Sequence, residues 1–448
     1  MPGQFAHIAS QDGTDLSYTD ALTGLGNIKR FFDKVDRLIQ DRAEDPAPFT
    51  VCIVDLDGFK PINDLFGRKA GDDILQQVAS RLKAAVDNNA TVARIGADEF
   101  AVLLPLTFSE DSAFERARML IEVLSAPYDV GERMARLSAS VGCSLYGAGD
   151  DTTEVLLSKA ESALYHAKHS GRGVVIVYTS EMEEAAKRVT RIEQALRRAV
   201  AASEVEPFFQ PIVDLETRRL IGFEALARWT DPDLGAISPA VFIPIAEDRG
   251  IIGQLSQLLL RKAAEAARTW PDELFLSFNL SPSQLVDQNT GSQILSTLEM
   301  TGLDPRRLEV EITETGLMSD PASAEKIMNH LRANGIRVAL DDFGTGQSSL
   351  GRLREFHFDK LKIDRAFVSC ILTDRPSEHI IRAILAMCEG LGMDVVAEGI
   401  EEEEQASKLV RFGCQSGQGY LFGRPADAEQ TLAFVRHSYQ MWHAARIA

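Results

Sequence analysis

Residues Val338–Asp364 read VALDDFGTGQSSLGRLREFHFDKLKID. A short apolar run, Val338 to Leu340, ends in two adjacent carboxylates, Asp341 and Asp342. A glycine-bracketed loop follows, and then a second strand-like run, Asp359 to Ile363, carries Lys362 and closes on Asp364. Paired carboxylates at the end of a buried strand are costly unless a cation sits between them. A divalent metal is the simplest such cation, and all-oxygen donors suit magnesium or manganese. The plainer reading is a strand end capped by solvated acids.

Working outward, the second half alternates strand and helix with unusual regularity. Strands are expected at Pro207–Val213, Leu220–Ala227, Leu274–Asn279, Leu308–Ile312, Val338–Asp341, Lys360–Ile363, Val395–Glu398 and Gly419–Leu421. Helical segments such as Ile251–Thr269 and Ser323–Asn334 lie between them. That rhythm is that of a TIM-type (β/α)8 barrel, in which the chemistry sits at the C-terminal strand ends. Strand period 2 puts Glu224 and Arg228 on one face, and Phe275, Ser277 and Asn279 on another. Successive strand ends carry Glu224, Asn279, Glu311, Asp341 with Asp342, Lys362 and Glu398. One such residue is a solvated strand end, but six in succession are a site.

The first half reads as a separate α/β unit. Strands are expected at Thr50–Asp55, Val92–Ile95, Phe100–Leu104, Arg136–Ser144 and Val174–Tyr178. Helices are expected at Leu25–Arg42, Asp73–Val86, Ser112–Leu124 and Thr153–His169. The stretch Glu181–Ala202 joins the halves without Gly or Pro. Its Met182, Ala185, Val189, Ile192, Leu196 and Ala199 recur at spacings of 3 and 4, a narrow apolar seam on a helix. Such a seam lies on a neighbouring domain or pairs with a second copy. The boundaries read as an arm at 1–18, a domain at 19–179, a linker helix at 180–203 and a barrel at 204–448.

Composition sets outer limits. A chain of 448 residues is too long for one ordinary core. Its 45% apolar and 25% charged residues are ordinary for a globular protein. No run approaches the ~18 apolar residues of a membrane span, and MPGQFAHIASQDGTD has no secretory pattern. A formal charge of −19 argues against nucleic-acid binding. The five cysteines show no CxxC spacing, so reduced thiols in a cytoplasm are expected.

The stretches EALARW, FNLS, EITE, DDFGTGQSSL, KID, AEGIE and QGYLFGRP together resemble the EAL-domain cyclic-di-GMP phosphodiesterases. The resemblance runs from about Phe208 to Pro425. It implies a barrel that hydrolyses cyclic di-GMP to linear pGpG with two Mg2+ or Mn2+ ions. By matching motif, Glu224, Asn279, Glu311, Asp341, Asp342 and Glu398 would hold the metals, with Glu224, Glu398 and Lys362 central to catalysis. Lys362 would orient the attacking water, and Gln210, Arg228 and Gln418 would hold substrate or metal-bound water. Glu314 would brace the loop Asp342–Ser349 and couple the site to a homodimer interface made by barrel helices, the linker helix or both.

TDALTGLGNIKRF, DLDGFKPINDLFGRKAGDD, RIGADEF and ALYHAKHSGRG resemble the GGDEF domains, the diguanylate cyclases, over about Thr19–Tyr178. The resemblance implies a nucleotidyl-cyclase-like α/β sandwich. Asp55, Asp98 and Glu99 would bind metal, Asn63 and Asp72 would read guanine, and Lys60, Lys168 and Arg172 would face phosphates. The departures are specific. Ala97 stands in the signature turn where the family has a second glycine, and a Cβ there costs ~1 kcal/mol if φ is positive and crowds the nucleotide. Arg68 replaces a His, Ile28 an Arg and Gly173 an Asn, while the inhibitory RxxD site would fall on DNNA at Asp87–Ala90. The expectation is a cytoplasmic bacterial phosphodiesterase whose GADEF domain binds GTP with Mg2+ as a regulator. The alternatives are a bifunctional enzyme and a non-catalytic cyclic-di-GMP receptor.

Overall fold

The computed structural model describes residues 18–41, 48–131, 133–146, 152–343 and 356–447. The chain divides into two compact units, Met1–Lys187 and Arg188–Ala448.

The first unit is built on β1 (Phe49–Asp57), whose residues are buried on both faces up to Asp57. Cys52, Val54 and Leu56 point into one core with α3 (Arg68–Ala85) and α4 (Glu110–Leu124). Phe49, Val51 and Ile53 point into the other with α1 (Ile28–Asp41) and α5 (Thr153–His169). Helices on both faces explain why this strand reads as a continuous apolar run rather than an alternation. β2 (Thr91–Arg94), β3 (Glu99–Pro105), β6 (Ser138–Leu145) and β7 (Val175–Val177) complete the sheet in the order β2-β3-β1-β6-β7. Gly142 in β6 is obligatory, because a Cβ there would lie 2.2 Å from the Ala160 carbonyl of α5. The hairpin of β4 (Tyr128–Val130) and β5 (Arg133–Ala135), not foreseen in the sequence, stands apart from this sheet.

The joint forms as a helix, α6 (Ser180–Ala201). Its seam is used unevenly. Ile192, Leu196 and Ala199 are buried in the core of the second unit, whereas Ala185 is exposed. The boundary between the units falls inside the helix, so its C-terminal part belongs to the barrel.

In the second unit β8 (Glu206–Asp214), β9 (Leu220–Asp231), β11 (Phe275–Leu280), β12 (Leu308–Thr313), β13 (Arg337–Phe343), β14 (Lys360–Ile363), β15 (Asp394–Ala397) and β16 (Ser416–Gln418) close into a barrel, with β10 (Gly235–Ile237) paired outside on β9. The expected TIM-type barrel is observed, with one local departure and one boundary to correct. First, β8 is antiparallel to both β9 and β16, so the barrel departs from the all-parallel TIM arrangement. The connection from Asp214 to Leu220 is a tight turn held by Asp214 on Thr217, and so short a link can only reverse the chain. Second, the last strand is Ser416–Gln418 and not Gly419–Leu421. A Cβ at Gly419 would meet the Ile400 carbonyl at 2.0 Å, so the chain turns there against that backbone. The glycine-bracketed loop beyond Phe343 falls outside the described residues from 344 to 355. Among the described residues no helix is long and apolar enough to cross a membrane.

Candidate active site

The inward faces of the barrel strands converge at one end. Glu224 on β9, Glu311 on β12, Asp341 on β13 and Lys362 on β14 are all buried, and Glu398 follows β15 directly. Lys362 Nζ lies 2.6 Å from Glu311 Oε2, 2.6 Å from Glu398 Oε1, 3.5 Å from Asp341 Oδ1 and 3.6 Å from Glu224 Oε1. The Asn279 amide donates to Glu224 Oε1 at 2.7 Å, and Gln418 Nε2 donates to Glu224 Oε2 at 2.6 Å and to Gln210 Oε1 at 3.0 Å. Of these, Gln210, Glu224, Asp341, Lys362, Glu398 and Gln418 line a cavity of about 250 Å3.

The electrostatics are dominated by crowding. Burial pushes Glu311 well above the usual carboxylate range, and neighbouring Glu224 adds to it against Lys362. Burial likewise pushes Glu398 up to about 8 despite the ammonium beside it. Burial would also raise Glu224, but Lys362, Gln418 and Asn279 outweigh it and hold this carboxyl below its ordinary value. Burial would strip the proton from Lys362, yet Glu224, Glu311, Glu398 and Asp341 hold its pKa well above an ordinary lysine's.

Asp342 departs from the alternation of its strand. Simple alternation would send it to the outer face. Instead the β13–β14 register slips between Leu340 and Phe343, and Asp342 takes a left-handed φ of 55°. A non-glycine residue held there costs about 1 kcal/mol or more. Its pKa is raised by partial burial and then by Asp341 and Asp364, so it belongs to the same electrostatic cluster.

Gln210 and Gln418 are assembled with Glu224 as the strand pattern requires. Arg228 is not gathered with them. Its guanidinium bonds the Ala227 carbonyl at 2.8 Å and lies over the Phe208 ring, one inward position beyond Leu226, which lines the cavity. Glu314 opens α10 (Glu314–Ser319), counting helices in chain order after α7 (Pro239–Asp248), α8 (Ile252–Ala267) and α9 (Thr290–Thr301). The loop it was expected to brace lies outside the described residues beyond Phe343. Sequence reading passed over Ser277, whose hydroxyl donates to Glu311 Oε1 at 2.6 Å. It also passed over Arg365, which lines the cavity and bonds Glu401 at 2.7 Å. Alternation sets Ser277 on the face of Asn279 but does not reveal its bond, and Arg365 directly follows the KID stretch with nothing in its spacing to mark it.

In the first unit Asp55 lies near the end of the buried run of β1, with Lys168 Nζ 2.6 Å from its Oδ2. Burial raises Asp55 against the pull of Lys168, with Asp98 and Asp57 adding to it, and burial raises Glu99 with Asp55 adding to it. Asn63 on α2 (Phe59–Phe66) packs directly against Gly71, the neighbour of Asp72 on α3, where a Cβ would fall 1.9 Å from Asn63 Oδ1. Lys60 and Arg172 are exposed, the latter at a left-handed φ of 62°. The strain expected at Ala97 is absent, since neither Gly96 nor Ala97 has a positive φ. The turn closes through Ile95 and Gly96 amides on the Glu99 carbonyl, and Arg94 ties the Ala97 carbonyl at 2.7 Å while pairing with Asp20. A fixed guanidinium, and not a second glycine, sets this turn.

This fold and this cluster have relatives. Residues 193–425 match the EAL domain family and residues 17–174 the diguanylate cyclase GGDEF domain. The EAL match takes in more than half of the chain, which therefore belongs to that family as a tandem GGDEF–EAL protein. The bifunctional diguanylate cyclase/cyclic di-GMP phosphodiesterase MucR of Pseudomonas aeruginosa is 36% identical over 431 residues, 95% of this chain and 63% of MucR. A solved MucR phosphodiesterase in complex with c-di-GMP is 36% identical at a TM-score of 0.52, over 54% of this chain and 99% of that one. The S helix–GGDEF–EAL portion of Vibrio cholerae LapD, bound to c-di-GMP, superposes at a TM-score of 0.56 over 91% of this chain and 96% of that one. At 19% identity that last likeness speaks for the fold alone. The chain spans between half and two-thirds of the length of the curated relatives it matches first.

Proposed function

We propose that the barrel hydrolyses cyclic di-GMP to linear pGpG with two Mg2+ or Mn2+ ions. The observation that carries this is the ring of carboxylates on Lys362. Glu224, Glu311, Asp341 and Glu398 bring four negative charges to one ammonium, a formal surplus of three. The raised pKa values of Glu311 and Glu398 register that surplus. Divalent ions remove the conflict, and carboxylates with the Asn279 amide oxygen are the hard donors they prefer. Glu224, Asn279, Glu311, Asp341, Asp342 and Glu398 are the proposed ligands.

When bound, such ions lower the pKa of water and shield the scissile phosphodiester. The residues do the rest. Lys362 keeps its proton and donates hydrogen bonds that orient the attacking water. Glu398, whose carboxyl pKa is raised by burial in the metal-free site, stands beside it as a proposed ligand and proton acceptor once a cation offsets that burial. Gln418, which also donates to Gln210, fixes Glu224, while Arg365 offers a cation to the anionic substrate at an otherwise acidic mouth and Arg228 is proposed to meet the substrate further out along β9. The named activity of MucR and its c-di-GMP complex support the substrate.

The GADEF domain is proposed as a GTP-binding regulator, with Mg2+ held by Asp55, Asp98 and Glu99 and the nucleotide by Lys60, Asn63, Asp72, Lys168 and Arg172. A bifunctional reading gains one argument from the structure, because Ala97 imposes no backbone strain on its turn. The working form is proposed as a cytoplasmic homodimer. The test is chromatography of cyclic di-GMP incubated with the protein and Mg2+, with and without GTP. Formation of pGpG, faster with GTP, is expected. Binding without hydrolysis under both conditions would contradict the enzyme reading, and cyclic-di-GMP synthesis from GTP by a barrel-disabled variant would favour the bifunctional one.

A further inference from the structure

We infer that Ser277 is a positioning residue whose hydroxyl fixes the Glu311 carboxylate for uptake of a divalent cation. This rests on the metal-dependent reading above. Ser277 faces inward on β11 between Phe275 and Asn279, and it is fully buried. In the parallel β11–β12 pairing it lies level with Glu309, while Asn279 lies level with Glu311. Its hydroxyl nevertheless reaches one inward position along β12 and donates to Glu311 Oε1 at 2.6 Å. Glu309 is already taken by Lys360, whose Nζ lies 2.7 Å from its Oε2.

Lys362 donates to the other oxygen, Glu311 Oε2, at 2.6 Å. The carboxylate is therefore held at both ends by donors from two different strands. A carboxylate held at one end can rotate, whereas one held at both ends has a fixed plane. The two donors are not equivalent. Lys362 is shared among four carboxylates, and a divalent cation entering that cluster competes with its charge directly. Ser277 is neutral and does not compete, so its bond on Oε1 persists when positive charge arrives. A buried hydroxyl left without a partner is destabilising, and the bond to Glu311 supplies that partner. Partners of this kind orient metal-binding side chains and are typically worth about 10- to 100-fold in metal affinity.

The experiment is a Mn2+ titration of the full chain followed by the electron paramagnetic resonance signal of free Mn2+. Wild type, S277A and S277T are compared, with circular dichroism showing that each variant folds. S277A is expected to bind Mn2+ about 10- to 100-fold more weakly, and S277T, which keeps the hydroxyl, to recover most of the affinity. If S277A does not fold, S277C, similar in volume but a weak donor, is expected to show the same loss. Wild-type affinity in folded S277A, or in folded S277C in its place, would overturn the role of Ser277 and leave the metal site standing. An S277T loss as large as that of S277A would assign the effect to packing and overturn it as well. A wild-type protein that binds no Mn2+ would overturn the metal reading and this inference together.

Discussion

The Lys362 ammonium sits 2.6 Å from Glu311, and the two side chains are 2% and 1% exposed. Two residues earlier on the same strands, Lys360 sits 2.7 Å from Glu309. The barrel interior thus carries two stacked Glu–Lys pairs of different kinds. The lower pair is stoichiometric in charge apart from Arg337 at 3.7 Å, and the Phe275 ring lies 4.2 Å from the Lys360 ammonium. The upper pair is embedded in surplus acid.

The upper pair predicts a metal-dependent stability. Lys362→Met removes the cation that shields four carboxylates, so the metal-free barrel is expected to lose about 3 kcal/mol or more, as when a buried pair is broken on one side. Saturating Mn2+ should restore more stability to the variant than it adds to wild type. Urea denaturation with and without Mn2+ reads both. Equal stabilities without metal would show that Lys362 is not shielding the cluster.

The lower pair predicts an additive failure. Lys360→Met alone leaves Glu309 buried without its ammonium and is expected to cost about 3–5 kcal/mol. The double variant E309L/K360M replaces both charges with apolar groups and should recover most of that loss. A double-mutant cycle by urea denaturation measures the coupling. A double variant as unstable as the single one would show that the floor needs the charges themselves.

Ala97 predicts a null result that the sequence alone would not give. Because its φ is not positive, Ala97→Gly relieves no strain. It should leave the melting temperature unchanged or lower it, the added chain freedom costing at most about 1 kcal/mol of stability. Thermal unfolding decides this, and a clear rise in melting temperature would mean that the turn is strained after all.

The thiols predict a single reactive site among the described residues. Cys370 is exposed, whereas Cys52, Cys143, Cys388 and Cys414 are buried. Burial pushes the Cys388 and Cys414 thiols up to about 11 and about 12. A raised thiol pKa keeps the unreactive protonated form in place until pH rises towards that value. Iodoacetamide at pH 8 should therefore label Cys370 alone in the folded protein and all five after unfolding. Mass spectrometry showing rapid labelling of Cys388 or Cys414 would contradict this burial.

Much of this architecture is legible in the sequence because it follows periodicity. Asn279, Glu311, Lys362 and Glu398 fall at or near the ends of strands that alternation locates, and Thr153–His169 is the helix its spacing predicts; Glu224 keeps its inward face but lies within β9, which runs on to Asp231. What escaped depends on relationships that periodicity does not encode. The reversed β8 follows from the length of the link between Asp214 and Leu220, not from any pattern within the strand. The placement of Asp342 depends on a bulge, and the turn at Ala97 depends on Arg94 reaching across to its carbonyl. The choice of Ser277 for Glu311 over the Glu309 level with it is decided by Lys360, which arrives from a strand far away in sequence.

The most direct test of the central claim is pGpG formation from cyclic di-GMP in Mg2+ by wild type and by Glu224→Ala. Glu224 accepts from Asn279 and Gln418 and lies 3.6 Å from Lys362, so its loss removes a proposed metal ligand and the hub of the amide network together. Wild type is expected to form pGpG, and E224A to form none while keeping the far-ultraviolet circular dichroism of the folded protein. Full turnover by E224A, or none by folded wild type that still binds cyclic di-GMP, would contradict the account.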